Sequence, residues 1–168
     1  MRFRGHRSVV KDSSIEIDDV RHLEVRANGL DFHVAEMGQG DRLALCLHGF
    51  PELWISWRNQ MPLLASQGWR VWAPDMRGYG DSEVPPHVRD YSIETLMADV
   101  AGLIDAAQAR EGMILAHDWG AIVAWFFAIR QVRDLDRLVI MNVPHPGAAA
   151  GKGRTLKQLV RSWYIFFF

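Results

Sequence analysis

Ala116-His117-Asp118-Trp119-Gly120 lies between a short apolar run, Met113 to Ala116, and a longer apolar stretch, Ala121 to Arg130. Small residues stand two before and two after the central Asp118, the small-x-nucleophile-x-small form of a sharp turn from strand into helix. Small side chains at those places let strand and helix approach closely. The helix N-terminus adds positive potential and backbone N–H groups with no intrahelical acceptor. Asp118 can also be read as a plain cap of the following helix, a common role for Asp. The strand-turn-helix setting is the context that the nucleophile reading requires.

Working outward, further short apolar runs occur at Leu43 to Leu47, Arg70 to Ala73 and Leu138 to Met141, and these read as buried parallel strands. Helical stretches separate them. Trp54 to Gln67 is interrupted by Pro62, Ile93 to Ala109 follows, and Ala121 to Arg130 is apolar almost all round, which predicts a buried helix. On the N-terminal side, His22 to Arg26 and Leu30 to Ala35 alternate and are joined by Asn28-Gly29, the signature of a β-hairpin, with a turn at Gly38 to Asp41. The expected architecture is α/β, a mostly parallel sheet preceded by a hairpin, with right-handed crossovers. Residues 1–20 show no sustained period and are expected to be a poorly ordered lead-in to a core over 21–150.

Ligands on such sheets bind at the carboxyl ends of the strands. The loops there are His48 to Glu52, Asp75 to Ser82, His117 to Gly120 and Asn142 to Pro146, all on one predicted edge. Asp in place of Ser narrows the chemistry. A carboxylate with an ordinary pKa of about 3.9 is ionised at neutral pH and attacks without a base, but attack on an ester or amide would yield a high-energy anhydride. Its suitable target is a saturated carbon bearing a leaving group, as in epoxides and alkyl halides. The product is an alkyl ester, and its hydrolysis develops an oxyanion that the N–H groups of Trp119 and Phe50 are placed to receive. His48 is expected to fix its loop, and Pro51 would aim the Phe50 amide if the bond before it is cis.

Composition sets bounds on partners. The chain has 168 residues, 49% of them hydrophobic, which fits one domain, and a formal net charge of −1 gives no footprint for nucleic acid. The single Cys46 cannot form an intrachain disulfide and reads as a buried thiol, which favours a reducing, cytoplasmic setting. Met1 to Lys11 lacks the apolar segment of a secretory signal, and no run reaches the ~18 apolar residues of a membrane span. Gly78-Tyr79-Gly80 lacks the third glycine of a dinucleotide fingerprint, and the reading calls for no cofactor and no metal. The apolar end Trp163 to Phe168 reads as a chain cut inside a structural element.

His48-Gly49-Phe50-Pro51-Glu52 with Ser56-Trp57-Arg58, Asp75-Met76-Arg77-Gly78-Tyr79-Gly80-Asp81-Ser82, and His117-Asp118-Trp119-Gly120 together resemble the epoxide hydrolase branch of the α/β-hydrolase fold family. The resemblance runs from about Arg21 to the end. It implies Asp118 as nucleophile, Phe50 and Trp119 as oxyanion hole, and a small apolar epoxide as substrate, in a pocket bordered by His48, Pro51, His117 and His145. It further implies that residues 151–168 begin a helical cap, where Tyr164 would donate a proton to the epoxide oxygen. The alternative for Tyr164 is an amphipathic residue in an apolar helix.

Haloalkane dehalogenases share the Asp elbow but usually carry a halide-holding Asn or Trp where this chain has Phe50-Pro51-Glu52; Trp119 suits either, whereas fluoroacetate dehalogenases typically have Arg after the nucleophile. In this fold the acid and then the histidine follow the nucleophile. After Asp118 the only carboxylates are Asp134 and Asp136 and the only imidazole is His145. The two aspartates precede a strand and so lie roughly 17 to 20 Å from the elbow. Asn142 is not ionisable, and His145, flanked by prolines, reads as a loop residue. The resemblance therefore places the true acid, the histidine, a second tyrosine, most of the cap and the last two strands beyond Phe168. The competing reading is an inactive truncated piece or interaction module that self-associates through an exposed sheet edge and its aromatic tail.

Overall fold

The structure, a computed structural model, describes residues 19–150. Two strands, β1 (Arg21–Ala27) and β2 (Leu30–Met37), form the expected antiparallel hairpin. Its turn residues Asn28 and Gly29 both have positive φ, 46° and 79°, the combination that suits the twist of a two-residue hairpin. Four more strands follow, β3 (Arg42–Leu47), β4 (Arg70–Pro74), β5 (Glu111–His117) and β6 (Arg137–Met141). They complete a six-stranded sheet of order β1-β2-β4-β3-β5-β6. The β2–β4 pairing is antiparallel, and the β4–β3, β3–β5 and β5–β6 pairings are parallel.

Continuous apolar strands work here because both faces of the sheet are covered. In β3, Leu43, Leu45 and Leu47 enter one core while Ala44 and Cys46 enter the other. The strand residues on the second face are mostly small, and the large Trp57, Met61 and Trp69 fill the space over them. Cys46 is fully buried there, and burial pushes its thiol far above the usual range, which removes it as a reactive group.

The helices α1 (Gln60–Ser66), α2 (Ile93–Ala107) and α3 (Asp118–Ile129) supply the cover, and a short α4 (Pro146–Ala150) follows the last strand. Two expectations are corrected. The break in the first helical stretch lies between a 3-10 turn, Trp54–Trp57, and α1, not at Pro62. Pro62 is the third residue of α1, where its missing N–H would have had no intrahelical acceptor in any case. The second correction concerns α3, which begins at Asp118 and is not buried all round. Trp119 and Ile129 are 54% and 48% exposed. One flank of α3 faces the sheet and α2; on the other the loop after β6 meets Trp125, while Trp119 and Ile129 stay exposed.

β6 has β5 as its only partner among the described residues, with Val139 and Met141 facing outward as exposed apolar side chains. Among the described residues the outer edge of β6 is open. No helix among the described residues is long and apolar enough to cross a membrane.

Candidate active site

Asp118 is the first residue of α3 and has φ 51°, the left-handed region that side-chain-bearing residues seldom occupy. Such a conformation costs of order 1 kcal/mol and persists only where the surroundings over-determine it. They do so here. The Asp118 N–H donates to Asn142 Oδ1 at 2.9 Å, and Asn142, in the loop after β6, is itself left-handed at φ 57°. The Asp118 carboxylate does not cap its own helix: Oδ1 accepts the N–H of Phe50 at 2.9 Å, from the loop after β3.

Two glycines make this approach feasible. A Cβ on Gly49 would lie 2.4 Å from Asp118 Cβ and 2.6 Å from its Oδ1. On Gly120 it would lie 2.6 Å from both the Leu47 and His48 carbonyl oxygens. Backbone cannot yield as a flexible side chain can, so Gly120→Ala is expected to destabilise the fold by about 1–3 kcal/mol, read as a lower urea midpoint. A midpoint equal to that of the wild type would show that β3 and α3 have room to separate.

The Phe50-Pro51 bond is cis. His48, buried behind this loop, has both ring nitrogens engaged. Nε2 accepts the Met76 N–H at 2.9 Å, which leaves the proton on Nδ1 to be donated to the Gly49 carbonyl at 2.8 Å. This is the loop-fixing role expected from sequence. Burial holds the His48 pKa below its ordinary 6.5. The unfolded chain therefore takes up this proton first, and as pH falls below about 6.5 the folded state loses stability until its own, lower pKa is reached. Between pH 6.5 and 5 the urea midpoint of the wild type should fall more steeply than that of His48→Gln. Parallel slopes would remove His48 as the cause.

His117 continues the face of β5 that carries Met113 and Leu115, and so points to the core beneath α1. Its Nε2 lies 3.3 Å from Glu52 Oε2, and its ring packs at 5.2 Å on Trp57. His145 is an exposed loop residue: Nδ1 accepts the Gly147 N–H at 3.0 Å, and the ring stands edge-on to Trp125. Trp125 Nε1 in turn donates to the Val143 carbonyl at 3.1 Å, tying this loop to α3. Asp136 sits at the far end of the sheet, where Oδ2 accepts the Gly112 N–H at 2.7 Å. Tyr164 and the aromatic tail lie outside the described residues.

A cavity of about 110 Å³ opens beside the elbow, bordered by His48, Gly49, Tyr79, Trp119 and Val123 among others. Of the four pocket residues expected from sequence, His48 borders it; Pro51, His117 and His145 do not. Sequence reading assigned no role to Tyr79 or Asp75. Burial and, next, the Asp118 carboxylate push the Tyr79 phenol above its ordinary pKa, so it stays a neutral O–H at pH 7. Asp75 is buried and joins the Trp54 turn to β2: Oδ1 accepts the Trp54 N–H at 2.9 Å, and Oδ2 lies 2.7 Å from His33 Nδ1. The signals for it were its place at the carboxyl end of β4 and at the head of the motif Asp75 to Ser82. Among the described residues no group of three or more His, Cys, Asp or Glu is placed to hold a metal ion.

A family model for the alpha/beta hydrolase fold matches residues 45–167. Epoxide hydrolase 2 of Siraitia grosvenorii is 39% identical over 127 residues, 76% of this chain and 40% of that protein. Epoxide hydrolase 4 of Mus musculus is 37% identical over 149 residues, 88% of this chain and 41% of that protein. The crystal structure of epoxide hydrolase VrEH1 from Vigna radiata matches with TM-score 0.74 and 39% identity, covering 89% of this chain and 48% of the other. The chain thus spans about 40% of the length of these curated relatives.

Proposed function

The chain belongs to the α/β-hydrolase fold family, as a homologue of epoxide hydrolases, and from that premise we propose that Asp118 opens an epoxide by direct attack on carbon. The observation that carries this reading is a carboxylate at φ 51° on a strand-to-helix elbow, held 2.9 Å from a backbone N–H of the neighbouring loop. Because Oδ1 already accepts that bond, Oδ2 is the attacking atom and Oδ1 becomes the ester carbonyl. As the Oδ2–carbon bond forms, the epoxide C–O bond breaks, and the departing oxygen takes a proton, for which Tyr164 is the proposed donor. In the second half, water adds to the Asp118 carboxyl carbon. The oxyanion on Oδ1 then meets the N–H of Phe50 and that of Trp119, which lies in the first helical turn and lacks an intrahelical acceptor.

An alkyl halide is a poorer fit. Phe50, Pro51 and Glu52 offer no side-chain N–H to a departing halide, leaving the Trp119 indole alone.

Water needs a base, and none of the described histidines near the elbow is free to serve. His48 Nε2 accepts the Met76 amide, His117 lies on the face of β5 turned to the core beneath α1, and His145 Nδ1 accepts the Gly147 amide. The 168-residue chain is therefore expected to stop at the ester. Incubation with styrene oxide should give one covalent adduct by intact-mass spectrometry, mapped to the peptide containing Asp118. No adduct would overturn the nucleophile, and sustained diol release would overturn the stop at the ester.

A further inference from the structure

We propose that Asp75 is a positioning residue for the Phe50 N–H, and that His33 and His22 set the direction of the hydrogen bonds through which it acts. This role rests on Asp118 and Phe50 acting as proposed above, and it supplies what keeps the second aimed at the first. The loop that carries Phe50 is pinned at both ends by two consecutive residues. At its start the Met76 N–H donates to His48 Nε2 at 2.9 Å, and at its end the Trp54 N–H donates to Asp75 Oδ1 at 2.9 Å. Between these pins the Phe50 N–H meets Asp118 Oδ1 at 2.9 Å.

Asp75 is itself closely held. Its N–H donates to the His33 carbonyl at 3.0 Å, its carbonyl accepts the Ser82 hydroxyl at 2.6 Å, and a Cβ on Gly80 would run into Oδ2. Oδ2 lies 2.7 Å from His33 Nδ1, and His33 Nε2 lies 2.8 Å from His22 Nδ1. The planes of the two rings differ by 12° and their centroids are 5.0 Å apart, a separation close to that N···N distance plus the two ring radii. The rings therefore meet edge to edge along one in-line hydrogen bond.

The donors available limit which protonation states this chain of bonds tolerates. An ionised carboxylate only accepts, so His33 Nδ1 carries a proton towards Asp75. His33 Nε2 then accepts from His22 when the ring is neutral or donates to it when the ring is charged, and either arrangement leaves Asp75 on the Trp54 N–H. Asp75→Asn removes that tolerance. With Oδ1 kept by Trp54, the side chain shows His33 only N–H donors, so His33 Nδ1 must be bare and the direction of the whole chain reverses. A proton on Nδ1 then sets donor against donor, and the Asn gives up either His33 or Trp54. The Asp81 N–H, 3.4 Å from Oδ2, is a further contact that Asn does not keep, and its loss is the same at any pH. Glu24, Asp31, Asp81 and Glu83 share a groove with the two rings, with Arg26 paired to Asp31 and Glu83, and all are common to both chains. His48 cannot imitate the effect. The Asp75 charge raises its pKa, so Asn in that place keeps the His48 ring neutral to lower pH and the Met76 pin intact.

The test is the rate at which styrene oxide labels Asp118 in the full chain, followed by intact mass over a range of concentrations at about pH 7.5 and about pH 5.5, which bracket the ordinary titration of histidine. The wild type should keep its maximal rate within about twofold, whereas Asp75→Asn should match it at the higher pH and fall by about tenfold or more at the lower, a scale that small misplacements of reacting groups reach. The half-saturating concentration should not change. Asp75→Asn combined with His33→Asn, which leaves no ring at that position to protonate, should be level again. In parallel, the Phe50 amide resonance should move between the two pH values in Asp75→Asn and hold its place in the wild type and the double variant. Equal loss at both pH values, loss at neither, a double variant that still falls, or an Asp75→Asn chain that does not fold would overturn the positioning role. If styrene oxide does not label the wild type, the nucleophile reading falls and the Phe50 resonance alone decides whether Asp75 positions the loop.

Discussion

Asp118→Asn should abolish the styrene oxide adduct, with labelling down by at least about three orders of magnitude, while leaving the chain folded. Loss on this scale is what removal of an attacking group produces, since the carboxamide oxygen carries no charge to give to carbon. The fold has no reason to suffer. Asn enters the left-handed region at least as readily as Asp, its Oδ1 can still accept the Phe50 N–H, and its own N–H still reaches Asn142. The unfolding free energy from urea melts should stay within about 1 kcal/mol of the wild type or rise. Intact-mass labelling and urea melts on the same preparations separate the two effects. Undiminished labelling would move the nucleophile to another carboxylate, and unfolding would make Asp118 a structural residue.

The juxtaposition of Phe50 and Asp118, 68 residues apart in sequence, was legible because each stands just past the carboxyl end of a buried strand, and β3 and β5 are neighbours. Strand positions were legible for the same reason: runs such as Leu43 to Leu47 have no amphipathic period and must be covered on both faces. The orientation of His117 was available by counting alternate residues from Leu115. The burial of α3 was not legible, since an apolar helix states that cover is wanted but not which element supplies it. Tyr79 and Asp75 escaped for a different reason. Their roles arise where the loop after β4 folds back on other parts of the chain, and Asp75 meets Trp54 and, in β2, His33 through contacts that no local spacing encodes.

Breaking the Arg77–Asp99 pair should be the most costly single change to the fold. Arg77 and Asp99 are 6% and 4% exposed and are joined by two short bonds, with Asn28 Nδ2 adding a third to Asp99 Oδ1 at 2.7 Å. Asn28 is the first turn residue of the hairpin, Asp99 is on α2, and Arg77 is in the loop after β4, so the pair bolts three separate pieces of chain together. Arg77→Met leaves a buried carboxylate facing one amide, an expected loss of about 3–5 kcal/mol in urea unfolding, against roughly 5–15 kcal/mol for a whole domain. Arg77→Met with Asp99→Leu removes both charges and should recover a large part of that loss, because the desolvation that the ion pair itself requires disappears with it. A double-mutant cycle reads this as strong coupling. A loss below about 1 kcal/mol for the single variant, the scale of exposed surface pairs, would mean that water reaches Asp99.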